Sequence, residues 1–398
     1  IMNKSLYIVA FSLAFATTGI AQNNEGQDKV IDLGTQTTTE LRKTQAVSTI
    51  YSDELDKNAT TSPYNAIYGL LPGLSVMQNT SWGTDKSRLN VRGRGSLNGD
   101  TPLFVVDGFA RPLEYINLSE IESISVLKDG AATALWGGRG ANGVVLITTK
   151  RGIYSQKDIK VDYKFGLGFP VNQPEFADAY TYAKARNEAL RYDGLQPDMD
   201  EASFLSGGNS DLYPNVDWQK EALRNHTTSH QLDITFRGGG KRLRYFSVLN
   251  YKNDMGLLNS KYTDYTDRYN SQMKKYFLNL RMNLDVDITD ATKLKLSMLG
   301  MLRETKRPTT SEATLFEQIF NTPSAAFPVQ TLNGFWGSNN VLKTNPIANL
   351  ADVGYYKLNQ RMLQADLRLV QDLSVLTRGL SAELAIAYDN NATYQETA

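Results

Sequence analysis

The 398 residues carry 42 basic and 42 acidic side chains, so the formal net charge is +0 and no nucleic-acid-binding stripe is implied. Cysteine is absent, which excludes disulfides, thiol catalysis and anchoring through a lipidated cysteine. Tyr 21, Phe 15 and Trp 4 make the chain aromatic-rich, and a mean hydropathy of −0.38 excludes a bundle of apolar transmembrane helices but not a barrel of alternating strands.

At the N-terminus Met2-Asn3-Lys4 is a short positive region, residues 6–16 are apolar, and Gly19-Ile20-Ala21 is a small-x-small site before Gln22. This is the pattern of a secretory signal peptide over residues 1–21, and its apolar run is shorter than the ~20 residues of a membrane-spanning helix. Residues 22–45 are rich in Gln, Asn and Thr, a composition expected to be flexible. Within them Val30, Ile31, Asp32, Leu33 and Gly34 form a β-prone island. Strand addition by a partner needs only such an accessible extended segment.

Residues 46–152 have the cadence of a small α/β domain. Thr61 or Ser62 caps a helix with Pro63 in its first turn, the helix carries Ala66, Ile67, Leu70 and Leu71, and Pro72-Gly73 stops it. Strands are expected at 74–78, 89–92 and 103–107. Asn117 or Ser119 opens a short helix before a strand at 124–127. A Lys128-Asp129-Gly130 turn, a small-residue helical turn over 131–134 and a Gly-rich bend then lead to a buried strand containing Val144, Val145, Leu146 and Ile147.

From residue 153 the period changes to strict alternation. Leu278, Leu280, Met282, Leu284, Val286 and Ile288 alternate with Asn279, Arg281, Asn283, Asp285 and Asp287, giving one apolar and one wet face. A turn over 289–292 leads to Leu294, Leu296, Met298 and Leu302. The pattern recurs at 160–169, 231–236, 243–251, 363–373 and 382–388, about seven strands in all, each near the ~10 residues of a tilted membrane strand. Short turns such as 238–240 alternate with long segments such as 304–359, which suits a wall with unlike ends.

Two stretches are more specific. Residues 125–150, SVLKDGAATALWGGRGANGVVLITTK, and 89–108, LNVRGRGSLNGDTPLFVVDG, resemble the plug domain of TonB-dependent outer-membrane transporters of the SusC/RagA branch. The shared positions are Arg92, Gly93, Arg94, Gly95, Asp107, Gly108, Lys128, Asp129, Gly130, Gly137, Arg139, Gly140, Asn142 and Gly143. Further on, Tyr213 to Trp218, residues 231–236, Gly238-Gly239 and Arg244-Tyr245-Phe246 are similar to that family's early barrel segment. The resemblance implies a mainly β protein, a small α/β plug followed by antiparallel transmembrane β-barrel strands. Barrels that hold a plug have about 22 strands, so the chain reads as the N-terminal part of a longer protein.

The same resemblance makes residues 30–34 the TonB box and implies TonB, with ExbB and ExbD, as the energy-coupling partner. It further implies a cell outer-membrane location surrounded by lipid, a SusD-like surface lipoprotein as lid, and an oligosaccharide (glycan) or peptide cargo. Catalysis and cofactors are not implied. An outer membrane has no nucleotide supply, so a plugged pore with a flexible handle suits force delivered from the inner membrane. Arg92, Arg94, Lys128 and Arg139 are expected to pair with lumen groups such as Asp285 and Asp287, contacts that water can replace.

Other chemistry is sparse. The Gly137 to Gly143 bend lacks the Lys-Ser/Thr of a phosphate loop, and no Gly-x-Ser-x-Gly elbow occurs. His226 and His230 have no supporting metal-ligand set, and Asp198, Asp200 and Glu201 read as a solvated acidic turn. Phe335, Trp336, Tyr355 and Tyr356 are weak candidates for stacking on substrate, and an interfacial aromatic role suits them equally. A siderophore or cobalamin receptor of the same architecture, or an adhesin or passive porin without energy coupling, are the alternatives.

Overall fold

Branched side chains dominate the stretches around residues 105, 124 and 146, and these become the centre of a small mixed sheet. The computed structural model describes residues 7–14, 30–32, 37–39, 44–57, 60, 62–78, 87–96, 99–171, 173–265 and 268–398. The sheet consists of β1 (Val47–Tyr51), β2 (Leu103–Val106), β3 (Phe109–Ala110), β4 (Ile121–Leu127) and β5 (Val144–Thr149), in the order β1-β4-β5-β2-β3. β5 pairs parallel with β2 and antiparallel with β4.

Because side chains alternate across a strand, β5 serves two cores. Val145 and Ile147 pack with Ile50, Leu55, Ile67, Leu71, Leu113 and Ile121, while Val144 and Leu146 pack with Ile31, Val47, Val105 and Leu127 on the opposite face. The helix expected through Leu71 is one turn only, Pro63–Ala66. Gly69 at φ +74 turns the chain out of the helix, leaving Tyr68 and Leu70 exposed and Ile67 and Leu71 inside.

The alternating region forms a continuous antiparallel wall of β6 (Lys157–Phe169), β7 (Thr227–Gly239), β8 (Leu243–Met255), β9 (Lys274–Asp287), β10 (Thr292–Pro308), β11 (Tyr355–Asp372) and β12 (Ser381–Thr397). Neighbours in sequence are neighbours in space, and the registers run without interruption. The strands hold 13 to 18 residues, more than the ~10 that alternation alone marks, because polar residues continue them at one end. Tyr7–Ala14, the apolar part of the N-terminal signal pattern, pairs antiparallel with β6.

The two ends of the wall differ as the loop lengths imply. Short connections, 240–242, 288–291 and 373–380, close one end. Long ones, 170–226, 256–273 and 309–354, meet at the other and fold around a shared core containing Trp218, Leu258, Tyr262, Leu315, Phe327 and Ile347. Trp218 Nε1 donates to the Pro323 carbonyl at 3.1 Å, and its ring meets Phe327 edge-on at 5.3 Å. These connections are therefore one packed module, which their sequences, read singly, do not reveal.

Candidate functional site between plug and wall

The wet face of the wall is turned toward the small domain. Asn279, Arg281, Asn283 and Asp285 are buried beneath it, whereas Leu278, Leu280 and Met282, the alternate positions, are at least 40% exposed on the outer surface. The joint between the layers is polar and charged.

Glu120 is fully buried. It ends a short 3-10 turn, Leu118–Glu120, whose start is capped by the Asn117 side chain accepting from the Ser119 amide at 3.2 Å. Flanked by the core residues Leu118 and Ile121, the carboxylate is delivered to the wall, where Arg281 Nε and Asn279 Nδ2 each donate to it at 2.5 Å. Burial pushes the Glu120 carboxyl above the usual carboxylate range, against the opposing pull of the Arg281 guanidinium.

Arg111 follows the β2–β3 hairpin and reaches strands farther along the wall. Its Nη1 donates to Asp366 at 2.6 Å, and its Nε and Nη2 donate to Asp389 at 3.1 and 2.6 Å. Burial works against the guanidinium charge, but the two carboxylates outweigh it and hold the group firmly protonated. The Phe109 ring covers it at 5.2 Å.

A third contact lies where the small domain runs into the wall. Asp107, at φ +46 in the hairpin turn, accepts from the Thr149 amide and hydroxyl at 3.0 and 2.6 Å. Asn283 Nδ2 donates to Thr149 Oγ1 at 2.9 Å and to the Lys150 carbonyl at 2.7 Å. Arg368 donates to the Asp107 carbonyl at 2.8 Å and sits so close that a Cβ at Gly108 would lie 2.7 Å from it. Arg151 then bonds Asp285 and Ser297, both at 2.8 Å. Buried amide oxygens of Asn250, Asn279 and Asn283 find no protein partner among the described residues, so the seam is one that suits water.

The cations singled out in the Gly-rich motifs stand elsewhere. Asp285 is held by Arg151, and Asp287 by Arg244 at 3.2 Å and the Tyr154 hydroxyl at 3.0 Å, not by Arg92, Arg94, Lys128 or Arg139. Lys128 Nζ donates to Ser48 and to the Pro72 carbonyl, and Arg94 joins Arg88 on Asp100. Arg92 and Arg139 are exposed. The motif's remaining members shape the small domain itself. Asp129 caps the Gly130–Thr133 turn through Ala132 and also accepts from the Ala46 amide, each at 2.9 Å. Asn142 donates to the Gly99 carbonyl, and Gly143, at φ +88, lies where a Cβ would strike Val91 at 2.8 Å.

Of the island at 30–34, Leu33 and Gly34 lie outside the described residues. Val30–Asp32 pairs with Thr37–Thr39, and Ile31 is buried against Val47, Val105 and Leu146. Among the aromatic candidates, Phe335 is 73% exposed at a loop tip, while Trp336 packs on Tyr265 at 5.2 Å within the loop module. Tyr355 and Tyr356 are strand residues of β11, not loop residues. Tyr356 stacks under Arg307, and the Tyr355 hydroxyl donates to Glu396. Asp198 is paired with Arg186, Asp200 caps the helix Glu201–Ser206, and Glu201 accepts from Asn187, so each carboxylate of that turn has a partner.

A small mixed-sheet domain seated by charges on the wet face of a strand wall defines a plugged barrel architecture, and the comparisons agree. The family model described as TonB-dependent Receptor Plug Domain matches residues 39–144. The TonB-dependent receptor SusC of Bacteroides thetaiotaomicron is 30% identical over 283 residues, 67% of this chain and 26% of that protein. TonB-dependent receptor P26 of Formosa agariphila is 28% identical over 281 residues, 69% of this chain and 26% of that protein. Among solved structures, the RagAB peptide importer in its open-open state superposes with a TM-score of 0.73 at 19% identity, covering 93% of this chain and 43% of that one. The chain belongs to the TonB-dependent receptor family, with homologues of the SusC/RagA type over about two thirds of its length. It spans about a quarter of the length of the curated relatives it matches.

Proposed function

We propose that this chain contributes the plug and first wall strands of an outer-membrane importer that TonB energises, with oligosaccharides or peptides as cargo. The observation that carries this reading is the seating of the plug. Hydrogen bonds and ion pairs bridge it to the wet face of the wall, with Ile31 of the 30–34 island packed against the plug sheet. Polar contacts of this kind exchange for water when the plug moves, which an apolar interface resists. The exposed long-connection module faces outward in this reading, where it would meet cargo and a SusD-like lipoprotein. Residues 1–21 act as the export signal, and residues 30–34 are the segment that pairs with TonB.

The test is uptake by cells carrying the full-length gene with residues 30–34 deleted, supplied with fluorescent maltooligosaccharides or oligopeptides. An energised importer loses uptake of its cargo while remaining in the outer membrane. Unchanged uptake would instead indicate a passive pore.

A further inference from the structure

The outward face of the wall changes character near the end that bears the long connections. Along β9, β10 and β11 the outward positions are apolar through Leu278, Leu302 and Leu363, which are 40%, 50% and 47% exposed. Farther along the same parity come Lys274, Lys306 and Lys357. The uninterrupted register places Lys274 opposite Lys306 and Lys306 opposite Lys357, so the three form one row across adjacent strands. At about 4.8 Å per strand their backbones span about 10 Å.

Like charges placed directly opposite one another destabilise a sheet unless a counter-charge joins them. Lys357 has Glu304 at 3.1 Å. Lys306 lies over the Tyr355 ring at 4.5 Å, and Glu396 is bonded to that tyrosine's hydroxyl. Among the described residues no carboxylate lies within ion-pair distance of Lys274 or Lys306. Arg361, two outward positions from Lys357 and opposite Leu302, adds an exposed cation at the margin of the apolar band, and Tyr251, Tyr276 and Tyr394 share this face near the same level, as boundary aromatics do.

We propose that the Lys274, Lys306 and Lys357 row binds the phosphate of a phosphorylated glycolipid in the outer leaflet. A phosphate there meets the ammonium row while the acyl chains lie along Leu278, Leu302 and Leu363, so the head and tail of one molecule are both matched. A soluble anion would match only the first. This inference rests on the outward orientation of the long connections given above.

The experiment takes the full-length protein in detergent with diphosphorylated lipid A and reads bound lipid by native mass spectrometry. Lys274→Gln/Lys306→Gln/Lys357→Gln is expected to lower occupancy about ten-fold or more, and dephosphorylated lipid A to bind the unaltered protein as weakly. Lys306→Gln alone, with an intermediate loss, serves if the triple variant does not fold. Occupancy that stays within two-fold in the variants, equal binding of dephosphorylated lipid A, or displacement by millimolar inorganic phosphate would overturn the proposal. An epitope inserted beside Phe335 and probed on intact cells separates the two readings. A hidden epitope removes the orientation and this site with it, whereas a displayed epitope with undiminished lipid removes the site alone.

Discussion

Arg111 and Glu120 carry opposite charges from the plug into the wall, and neither belongs to the Gly-rich motifs that mark the family. Replacing Arg111 by Ala leaves Asp366 buried without its cation, a loss of about 3–5 kcal/mol, and a lowered melting temperature of the full-length protein in detergent checks it. Arg111→Lys should recover only part of that, since an ammonium cannot fork between Asp366 and Asp389. Glu120→Ala strands Arg281 in the same way, and Glu120→Gln, which keeps the hydrogen-bonding shape, is expected to cost less. The alternation of Asn279, Arg281, Asn283 and Asp285 makes the wet face legible. Which of those groups the plug touches depends on how two separately folded layers meet, and no local pattern records that. The one available signal was a charged residue, Glu120, set between two core positions, Leu118 and Ile121.

The wall strands were legible because an apolar outer face and a polar inner face impose a period of two. Their extensions were not, since Tyr355 to Arg361 continue β11 with polar residues on both faces and look like a loop. The plug's turn chemistry was legible where it is local, as with Asp129 before the Gly130–Thr133 turn. Asp129→Ala removes the cap and the tether to Ala46 and should cost about 1 kcal/mol, seen as a reduced melting temperature at neutral pH. The Ala46 amide, with Ala132, holds the Asp129 carboxyl below the usual carboxylate range despite some burial. A lowered folded value means that its stabilisation is present above the ordinary carboxylate range and disappears as pH falls through the folded value. The gap between the two proteins should therefore narrow in acid, and a gap independent of pH would refute the assignment. Gly143→Val, which combines a left-handed backbone with contact on Val91, should be worse than Gly95→Ala, where nothing lies within 4 Å.

At the scale of the molecule, the plug has its own apolar core and is fastened to the wall by separate charged contacts with β9, β11 and β12. Weakening Arg111 and Glu120 together should open the pore before it unfolds the plug. Cells carrying the double variant are expected to become more sensitive to vancomycin, while Lys128→Ala, which acts within the plug, leaves sensitivity near that of the unaltered protein. These 398 residues contain no cysteine, so a single thiol introduced on the plug has no competing thiol within the plug or these wall strands. One consequence follows from the order of the plug sheet. β1, the strand of this sheet nearest the N-terminus, lies on the margin and pairs with β4 alone among the described strands, through five register pairs, whereas β5 is clasped on both sides and is covalently continuous with the wall. Under the proposed pull from the N-terminus, this rim strand is expected to peel from β4 first, like a tear strip, with the far end still moored to the wall.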